Sequence, residues 1–310
     1  MNGILIIDKP AGMTSHDVVA SVRRITGERS VGHLGTLDPM ATGVLPLVLG
    51  RMTRLAQFYS GAEKSYEGAV RFGFATNTYD ADGDAVGLRQ EVTLSVDQVR
   101  QAATEFAGKI EQMPPPFSAK KIAGVPAYKL ARKKQEVPLK PVQIEVVQFE
   151  ILGLTRDLAE FRATVGSGTY LRSIAHDLGQ KLGVGGHLAR LRRTRVGEFG
   201  LEEAKSLDEL WGHMQRPITD IMSTMKSPSC FQHPRTILPA FPAVTASEGI
   251  LPRLLNGNAI NLPEFSTARL VKVFRGQSEL IAIAQRIAGT LFQPKVVLAE
   301  SPVAAHSMRT

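Results

Sequence analysis

The chain has 310 residues, a formal net charge of +8 and a pI near 9.7, with 43% hydrophobic and 21% charged residues. This length suits one large domain plus a small one. The excess of Lys and Arg predicts a polyanionic partner, nucleic acid first, although a basic surface that binds nothing fits net charge alone equally well. A single cysteine, Cys230, excludes an internal disulfide framework and a multi-cysteine zinc site.

The N-terminus carries an apolar run at residues 4–7, which Asp8 and Lys9 interrupt at once. That run is too short for a membrane span and lacks the layout of a signal peptide. Together with the single cysteine, it predicts a cytoplasmic protein with no membrane association.

The first part of the chain predicts alternating strands, helices and loops. In order, these are a buried strand at residues 3–10, a helix from 14 to 27, a Gly- and Asp-rich loop at 32–43, strands at 44–49 and 65–73, an acidic loop at 76–87, and a helix at 96–106. Thr14 and Ser15 suit the N-cap of the first helix, and Gly27 suits its end.

Residues 112–141 differ from the rest, because prolines recur among clustered Lys and Arg. Prolines bar a long helix, so this stretch predicts an extended basic arm that projects from the body. Strands are then predicted over 142–165, a helix over 173–182, a basic strand or helix end over 190–196, and a helix beginning at 207.

Residues 228–242 have little pattern and several prolines, which predicts a linker. The domains expected are 1–232, with the arm, and a small unit at 240–300. The small unit has a helix at 247–255 and strand candidates at 270–274, 280–284 and 295–299.

Asp38 lies in the Gly-rich loop, directly before Pro39. A lone Asp-Pro is most often a helix N-cap followed by proline in the first turn. Here Gly32, Gly35 and Gly43 allow a ligand to approach the backbone closely, which favours a functional carboxylate.

The loop and four later segments resemble the motifs of the TruB family of tRNA pseudouridine synthases. The matching runs are Gly32-His33-Leu34-Gly35-Thr36-Leu37-Asp38-Pro39-Met40-Ala41-Thr42-Gly43, Lys64-Ser65-Tyr66, Thr78-Tyr79-Asp80-Ala81-Asp82-Gly83, Gln112-Met113-Pro114-Pro115-Pro116-Phe117-Ser118-Ala119-Lys120, and Gly168-Thr169-Tyr170-Leu171-Arg172-Ser173 with Leu191-Arg192-Arg193. The resemblance is strong over residues 1–200 and weak beyond. It implies an α/β (α+β) fold with a mixed, largely antiparallel sheet around a catalytic cleft, and a small β-rich, PUA-like C-terminal domain.

The resemblance implies isomerisation of the uridine at position 55 in the T-arm loop of tRNA, and it is compatible with an accompanying tRNA-folding role. Asp38, Tyr66 and Arg172 would be catalytic, with no cofactor or metal, because the reaction gains and loses no atom. Asp38 would attack the sugar or remove its C2′ proton, and the residues do not choose between these routes. Arg172 would keep Asp38 ionised. Alone, Arg172 would be an exposed strand-end charge and Tyr66 a half-buried strand aromatic.

The same resemblance assigns RNA contacts to a further set of residues, namely His33, Lys64, Leu191, Lys120, Tyr128 and Arg132. His33 would fill the gap left by the flipped base, and Leu191 would close the pocket. By pattern alone His33 is a loop histidine, Leu191 a core leucine, and the basic arm a solvated charge run. Arg190, Arg192, Arg193 and Arg195 form a second cluster expected along the same groove.

One departure from the family pattern and two alternatives accompany this interpretation. Val165-Gly166-Ser167 stands where the family usually has Cys-Ser-Lys or Cys-Ser-Arg, which removes a basic contact.

A guide-dependent synthase of a ribonucleoprotein is disfavoured, because such relatives lack an arm of this kind. A non-catalytic RNA-binding protein would not need Asp38, Tyr66 and Arg172 together. The expected protein is a monomer that acts on tRNA without guide RNA.

Overall fold

The computed structural model describes residues 1–117, 121–122, 125–126, 139–214 and 230–299. The strands in chain order are β1 (Gly3–Lys9), β2 (Val31–His33), β3 (Thr42–Leu49), β4 (Lys64–Phe72), β5 (Ala75–Thr76), β6 (Ala85–Val86), β7 (Gly108–Gln112), β8 (Lys121–Ile122), β9 (Val125–Pro126), β10 (Val142–Thr155), β11 (Leu158–Val165), β12 (Gly186–Val196), β13 (Phe199–Gly200), β14 (Ala243–Thr245), β15 (Ile260–Asn261), β16 (Leu270–Arg275), β17 (Glu279–Ala288) and β18 (Leu291–Val297).

Among the described residues, helices are fewer than strands. They are α1 (Ser15–Thr26), α2 (Ala56–Tyr59), α3 (Val96–Ala103), α4 (Leu171–Lys181), α5 (Leu207–Met214) and α6 (Leu251–Leu255), with 3-10 turns at Gly50–Leu55, Thr104–Phe106, Leu201–Glu203 and Glu248–Ile250. Within the described ranges, no helix is long and apolar enough to cross a bilayer.

The main sheet has the strand order β1-β3-β12-β4-β11-β10-β7, with β2 beside β3 and β13 beside β12. All of its pairs are antiparallel except β3 with β12, where Thr42 faces Arg192. The predicted mixed, largely antiparallel sheet is therefore confirmed. In this parallel pair the backbones of β3 and β12 approach closely at Gly43. A Cβ on Gly43 would lie 2.2 Å from the carbonyl oxygen of Arg193, so only glycine fits there.

The strands β1 and β3 are buried on both faces, which explains their unbroken apolar sequences. Leu5 and Ile7 face a core shared with α1, α3 and α4. Ile4 and Ile6 face a second core, to which the C-terminal part of the chain contributes Phe274 and other residues.

Helix α1 begins and ends as the sequence predicts. The Thr14 hydroxyl accepts from the backbone N–H of Asp17 at 3.1 Å, the Asp17 carboxylate accepts in return from the backbone N–H of Thr14 at 2.8 Å, and Gly27 closes the helix at φ 70°. Helix α4 starts at Leu171 rather than at Ser173. Arg172 therefore lies in the first turn of a helix and not at a strand end.

The C-terminal part forms a five-stranded sheet, β14-β16-β17-β18-β15, so the predicted β-rich unit is present. The segment before it, predicted as a linker, is packed where the structure describes it, from residue 230 onward. Cys230 and Ile237 are buried, Gln232 donates to the Ile4 carbonyl at 2.8 Å, and Leu238 donates to Glu198 Oε1 at 2.8 Å. Prolines and missing periodicity predict the absence of regular structure, but they do not predict exposure.

The basic arm of residues 112–141 leaves the body between two neighbouring strands. Gln112 belongs to β7 and Val142 begins β10, and these residues are paired in one antiparallel ladder. Gln112 is buried and belongs to the sheet, so the arm starts after it. Lys120, Tyr128 and Arg132 lie outside the described residues.

Candidate active site

A cavity of about 410 Å³ opens where the loop before β3, strand β4, helix α4 and strand β12 meet. Its wall includes six of the side chains singled out from the sequence, namely His33, Asp38, Lys64, Tyr66, Arg172 and Leu191. These six come from four separate segments of the chain, and only the tertiary structure brings them together. Gly166 and Ser167 also line the cavity, so the position without the family's usual basic residue faces the same space.

The loop that carries Asp38 is anchored to the first residue of α1. The Ser15 hydroxyl accepts from the N–H of Leu37 at 2.8 Å and donates to the carbonyl of Leu37 at 3.0 Å. The N–H of Ala41 donates to the Asp38 carbonyl at 3.1 Å, which closes a turn and not a helix. The helix-cap interpretation of Asp38-Pro39 is therefore wrong, and the carboxylate is left free to face the cavity.

Arg172 holds the Asp38 carboxylate with two atoms of its guanidinium. Nε lies 2.9 Å from Oδ2, and Nη2 donates to Oδ1 at 3.1 Å. The arginine side chain is only 6% exposed, whereas that of Asp38 is 34% exposed and reaches the cavity. Nη1 lies 3.3 Å from Asp80 Oδ2 and donates to the Thr78 carbonyl at 3.2 Å. One cation is thus shared by two carboxylates.

The position of the Arg172 guanidinium is further fixed by the start of the arm. Its Nη2 donates to the carbonyl of Phe117 at 3.0 Å. Nearby, the Ser173 hydroxyl donates to the carbonyl of Met113 at 2.8 Å, and Gln112 exchanges two hydrogen bonds with the backbone of Tyr170, at 2.8 and 3.0 Å. The first turn of α4 and the base of the arm therefore form one connected unit beside the catalytic candidate.

The protonation of Asp38 is set by opposing effects. Burial raises the pKa of Asp38 above its usual value, Arg172 lowers it, and the like charge of Asp80 raises it again. The cation of Lys9 also lowers it. The net direction is upward, so Arg172 offsets only part of the desolvation that favours the protonated acid.

Tyr66 and Lys64 lie on β4, the strand at the centre of the sheet. Tyr66 is 8% exposed and faces Ala163 on one side and Arg193 on the other in the strand register. Lys64 donates to the carbonyl of Ala62 at 2.7 Å, and burial followed by the nearby charge of Arg193 lowers its pKa. Leu191, on β12, lines the same cavity and is 8% exposed.

His33 lines the cavity and makes two contacts. Its Nδ1 accepts from the N–H of Gly35 at 3.3 Å, and its ring meets that of His16 edge to face with centroids 5.8 Å apart. Burial, and then the neighbouring His16, lower the pKa of His33. These effects favour a neutral ring at His33.

The sequence analysis did not predict that Lys9 is buried close to Asp38. Lys9 is 0% exposed, and its Nζ donates to the carbonyls of Pro10, Met13 and Pro39 at 2.8, 2.6 and 3.2 Å. Burial lowers its pKa to about 8. Its position directly before Pro10 suggested only the end of a strand, so a buried charge there was not predicted.

A second cluster of four arginines was expected along the RNA-binding groove, and this expectation is wrong for one of them. Arg193 is 0% exposed and lies inside the protein. The other three form ion pairs with acidic side chains, Arg190 with Glu160, Arg192 with Asp8 and Arg195 with Glu202. Consecutive basic residues in a strand face different directions, and charge alone does not reveal which of them is inside.

Comparisons with known proteins give matches over most of the chain. A family model described as TruB family pseudouridylate synthase (N terminal domain) matches residues 23–171. A second, described as tRNA pseudouridylate synthase B C-terminal domain, matches residues 172–220. A protein of Solibacter usitatus (strain Ellin6076) named tRNA pseudouridine synthase B is 44% identical over 301 residues, which cover 96% of this chain and 100% of the relative. The chain belongs to the TruB family of pseudouridylate synthases.

Other TruB relatives and solved structures extend the likeness over nearly the whole chain. The protein of the same name from Aquifex aeolicus (strain VF5) is 40% identical over 96% of this chain and 100% of its own length. The structure of an H/ACA RNP bound to a substrate RNA containing 2′-deoxyuridine matches with a TM-score of 0.70 and 25% identity, over 97% of this chain and 86% of that one. A Cbf5-Nop10-Gar1 complex matches with a TM-score of 0.70 and 26% identity, over 96% and 85%.

Proposed function

We propose that this enzyme isomerises the uridine at position 55 in the T-arm loop of tRNA, with Asp38 as its essential carboxylate and without guide RNA. The coarser activity, conversion of tRNA uridine to pseudouridine, follows from family membership and from relatives that carry this activity in their names. The observation that supports the finer proposal is the convergence of six candidate side chains around the ion pair of Asp38 and Arg172.

The reaction breaks the bond from N1 to C1′ of the ribose and forms a bond from C5 to C1′. The proton on C5 leaves and N1 gains one, so the composition of the base is unchanged. An ionised Asp38 supplies either a nucleophile for C1′ or a base for the C2′ proton. Both routes need the charged carboxylate, which Arg172 favours against the effect of burial.

The target base must leave its stack before this chemistry, and the cavity suits a flipped base. Tyr66 lines the cavity and is our candidate for stacking on the uracil, and its hydroxyl is our candidate for helping to move the C5 proton late in the reaction. Leu191 offers an apolar contact on the wall of the same cavity. His33 lines the same cavity, and its lowered pKa favours a neutral ring. It is our candidate for filling the space that the base leaves.

The basic arm supports recognition of an RNA loop. It leaves the sheet between β7 and β10, and its base contacts Arg172 through the carbonyl of Phe117. Lysines and aromatic rings in the arm sequence suit phosphates and unstacked bases. Lys120, Tyr128 and Arg132 stay predictions as RNA contacts, as does Lys64, and the C-terminal five-stranded sheet is our candidate for a PUA-like RNA-binding domain.

We favour action without guide RNA and as a monomer, although one matched solved structure is that of an H/ACA RNP bound to a substrate RNA. Relatives that match nearly the whole chain at 40% to 44% identity are named tRNA pseudouridine synthase B. The basic arm also favours action without guide RNA, because guide-dependent relatives lack an arm of this kind. A tRNA-folding role beside catalysis is compatible with the same binding surface.

The proposal is tested by tritium release from C5-labelled uridine in unmodified tRNA, with the purified chain as the only macromolecule added. We expect release from whole tRNA and from an isolated T-arm hairpin, and none from tRNA that lacks the T-arm. Release at another position would overturn the T-arm assignment, and a requirement for added guide RNA would overturn stand-alone action. Tight tRNA binding without release would favour the non-catalytic alternative.

A further inference from the structure

The acidic loop between β5 and β6 contains a tyrosine with an uncommon backbone conformation. Among the described residues, three other than glycine have a positive φ, and Tyr79 at 67° is one of them. This left-handed conformation is costly for a residue with a bulky side chain, and Gly, Asn and Asp are the residues that adopt it most readily. Contacts with other parts of the fold must therefore hold Tyr79 in it.

The left-handed turn at Tyr79 lies between two groups that contact Arg172. The carbonyl of Thr78 accepts from Nη1 of Arg172 at 3.2 Å, and Oδ2 of Asp80 lies 3.3 Å from the same nitrogen. The other carboxylate oxygen, Oδ1, accepts from the Thr78 hydroxyl at 2.5 Å and from the N–H of Asp82 at 3.2 Å. The backbone conformation at Tyr79 thus presents a carbonyl and a carboxylate to one guanidinium.

The ring of Tyr79 packs against the helix that carries Arg172. It stacks on the ring of His176, with centroids 3.8 Å apart and planes 12° from parallel. His176 lies four residues after Arg172 on α4, so the two side chains are on the same side of the helix. The carbonyl of Tyr79 also accepts from the N–H of Leu188 at 2.9 Å. One helix therefore carries both the guanidinium and the ring that holds the loop facing it.

The imidazole of His176 offers Tyr79 a neutral aromatic face. Burial lowers the pKa of His176, which favours the uncharged ring. Its Nδ1 is buried and has no hydrogen-bond partner among the residues that the structure describes. A phenyl ring at this position would therefore reproduce the stacking without loss of a hydrogen bond from Nδ1.

The guanidinium of Arg172 couples this loop to Asp38. It contacts Asp38 with Nε and Nη2, and Asp80 with Nη1. Burial raises the pKa of Asp38, and Arg172 lowers it. The like charge of Asp80 raises it again, and the cation of Lys9 lowers it. A carboxylate that moves away from Nη1 leaves more of the positive charge to Asp38, so the position of Asp80 influences how readily Asp38 ionises.

We propose that Tyr79 and His176 are positioning residues, whose stacked rings hold a second carboxylate against the guanidinium of Arg172. Held there, the carboxylate of Asp80 offsets part of the positive charge that would otherwise act on Asp38 alone. Neither ring lines the cavity, so the pair acts on the reaction through the loop and not through the substrate. The inference rests on the proposed function, in which the carboxylate in the cavity reacts in its ionised form.

The test measures single-turnover rates of pseudouridine formation across the acidic range for wild type, His176→Ala and His176→Phe. Alanine removes the ring that holds Tyr79, so we expect the acid limb of the pH–rate profile to shift to lower pH, by an amount similar to that in Asp80→Asn. Arg172 stays in place through its contact with the carbonyl of Phe117. Phenylalanine restores the stack, and its acid limb should coincide with that of wild type.

The double variant His176→Ala with Asp80→Asn separates positioning from a general loss of structure. Because the stack acts through the charge of Asp80, its loss should have no further effect once that charge is gone. We therefore expect the acid limb of the double variant to coincide with that of Asp80→Asn. A wild-type limb in His176→Ala would overturn the proposal, as would a further shift in the double variant or a shifted limb in His176→Phe.

Phe106→Ala is the matched control for the loss of an aromatic contact. The half-buried ring of Phe106 meets that of Phe149 edge to face, with centroids 6.3 Å apart, and lies outside the cavity. Its loss should leave the acid limb unchanged. A shift as large as in His176→Ala would show that lost packing moves the limb, which contradicts the proposal. A wild-type chain that makes no pseudouridine would instead overturn the proposed function.

Tyr79→Leu keeps the inference testable if His176→Ala does not fold. Leucine keeps an apolar side chain in the loop, but it offers no ring to His176 and adopts the left-handed conformation no more readily than tyrosine does. We expect the same shift of the acid limb to lower pH, whereas Tyr79→Phe, which keeps the ring, should retain the wild-type limb. A wild-type limb in Tyr79→Leu would show that the stack does not position the loop, and the proposal would fail.

Discussion

The guanidinium of Arg172 approaches both carboxylate oxygens of Asp38, at 2.9 Å from Nε to Oδ2 and 3.1 Å from Nη2 to Oδ1. These residues are 134 positions apart in the chain. A further carboxylate, that of Asp80, lies 3.3 Å from the same guanidinium. The site therefore combines one buried cation with two acids of different exposure, and Asp38 is the one that faces the cavity.

Replacing Asp38 by Asn should abolish turnover and retain tRNA binding. The amide has nearly the shape of the carboxylate but is neither a nucleophile nor a base, so we expect a loss of at least about a thousandfold in the single-turnover rate constant. Filter binding and tritium release measure the two quantities. Asp97→Asn, at an aspartate that is 86% exposed on α3, is the matched control and should behave as wild type. Comparable activity in Asp38→Asn would remove Asp38 from its assigned role.

The acid limb of the pH–rate profile should move in opposite directions when the two neighbours of Asp38 are changed. Arg172 lowers the pKa of Asp38 and Asp80 raises it. In the proposed reaction only the ionised form is active, so we expect the rate to fall as pH drops through that pKa. Arg172→Met should therefore shift the acid limb to higher pH, and Asp80→Asn should shift it to lower pH. Single-turnover rates across the acidic range test this.

The control for that pair of variants is Asp82→Asn, because Asp82 is an exposed aspartate in the same acidic loop. Its acid limb should coincide with that of wild type. If the limb moves in the same direction in Arg172→Met and Asp80→Asn, then charge interaction with Asp38 does not set it.

The contribution of Lys9 to stability should increase with pH. Burial lowers the pKa of Lys9 from 10.5 to about 8. Below pH 8 the lysine is charged in both the folded and the unfolded chain, and the full cost of burying the charge opposes folding. Between these two pKa values the folded protein releases the proton that the unfolded chain still holds, so the cost declines.

Urea unfolding of wild type and Lys9→Met at about pH 7 and about pH 10 measures this effect. The difference in unfolding free energy should shift in favour of wild type at the higher pH. Lys109→Met, at an exposed lysine in β7, should show a constant difference. A Lys9→Met difference that is equally constant would mean that Lys9 titrates as an ordinary exposed lysine.

Removing the Glu198 side chain should loosen the attachment of residues 230–242 to the body. Glu198 Oε1 accepts from the buried Tyr59 hydroxyl at 2.7 Å and from the N–H of Leu238 at 2.8 Å. Glu198→Ala leaves both donors unsatisfied, and we expect a loss of about 2–4 kcal/mol in unfolding free energy. Glu279→Ala breaks only an exposed i,i+4 pair with Arg275 and should cost about 0.3–0.5 kcal/mol. Equal losses in urea unfolding would contradict the structural role of Glu198.

Neutralising two lysines of the arm should weaken RNA binding, because the arm would then neutralise fewer phosphates. For Lys133→Gln with Lys134→Gln, we expect the slope of log affinity against log salt to flatten by roughly one unit for each phosphate that is no longer neutralised. Titration of tRNA binding at several salt concentrations measures this slope. An unchanged slope would remove these two lysines from the RNA interface.

Most regular elements could be predicted from local pattern. The capping box of α1, the apolar strands β1 and β3 and the alternation of β4 each depend on neighbours within a few residues. The motifs also named six side chains that the structure brings to one cavity, because the family resemblance marks them residue by residue. The boundary of α4 and the packing of residues 230–242 were missed, since both depend on interactions with distant segments.

The sequence by itself determined the set of chemical groups in this protein and the local conformation of the segments that carry them. Only the tertiary structure decided which charges face the cavity and which are buried. Arg190, Arg192 and Arg193 are the same residue type on one strand. Of the three, only Arg193 is 0% exposed, and its guanidinium donates to backbone carbonyls on both sides of Asp38. The physical reason is that the direction of a side chain in a strand depends on register, and register depends on the strands beside it. The pKa of Asp38 is likewise set by Arg172, Asp80 and burial, which come together only in the folded chain.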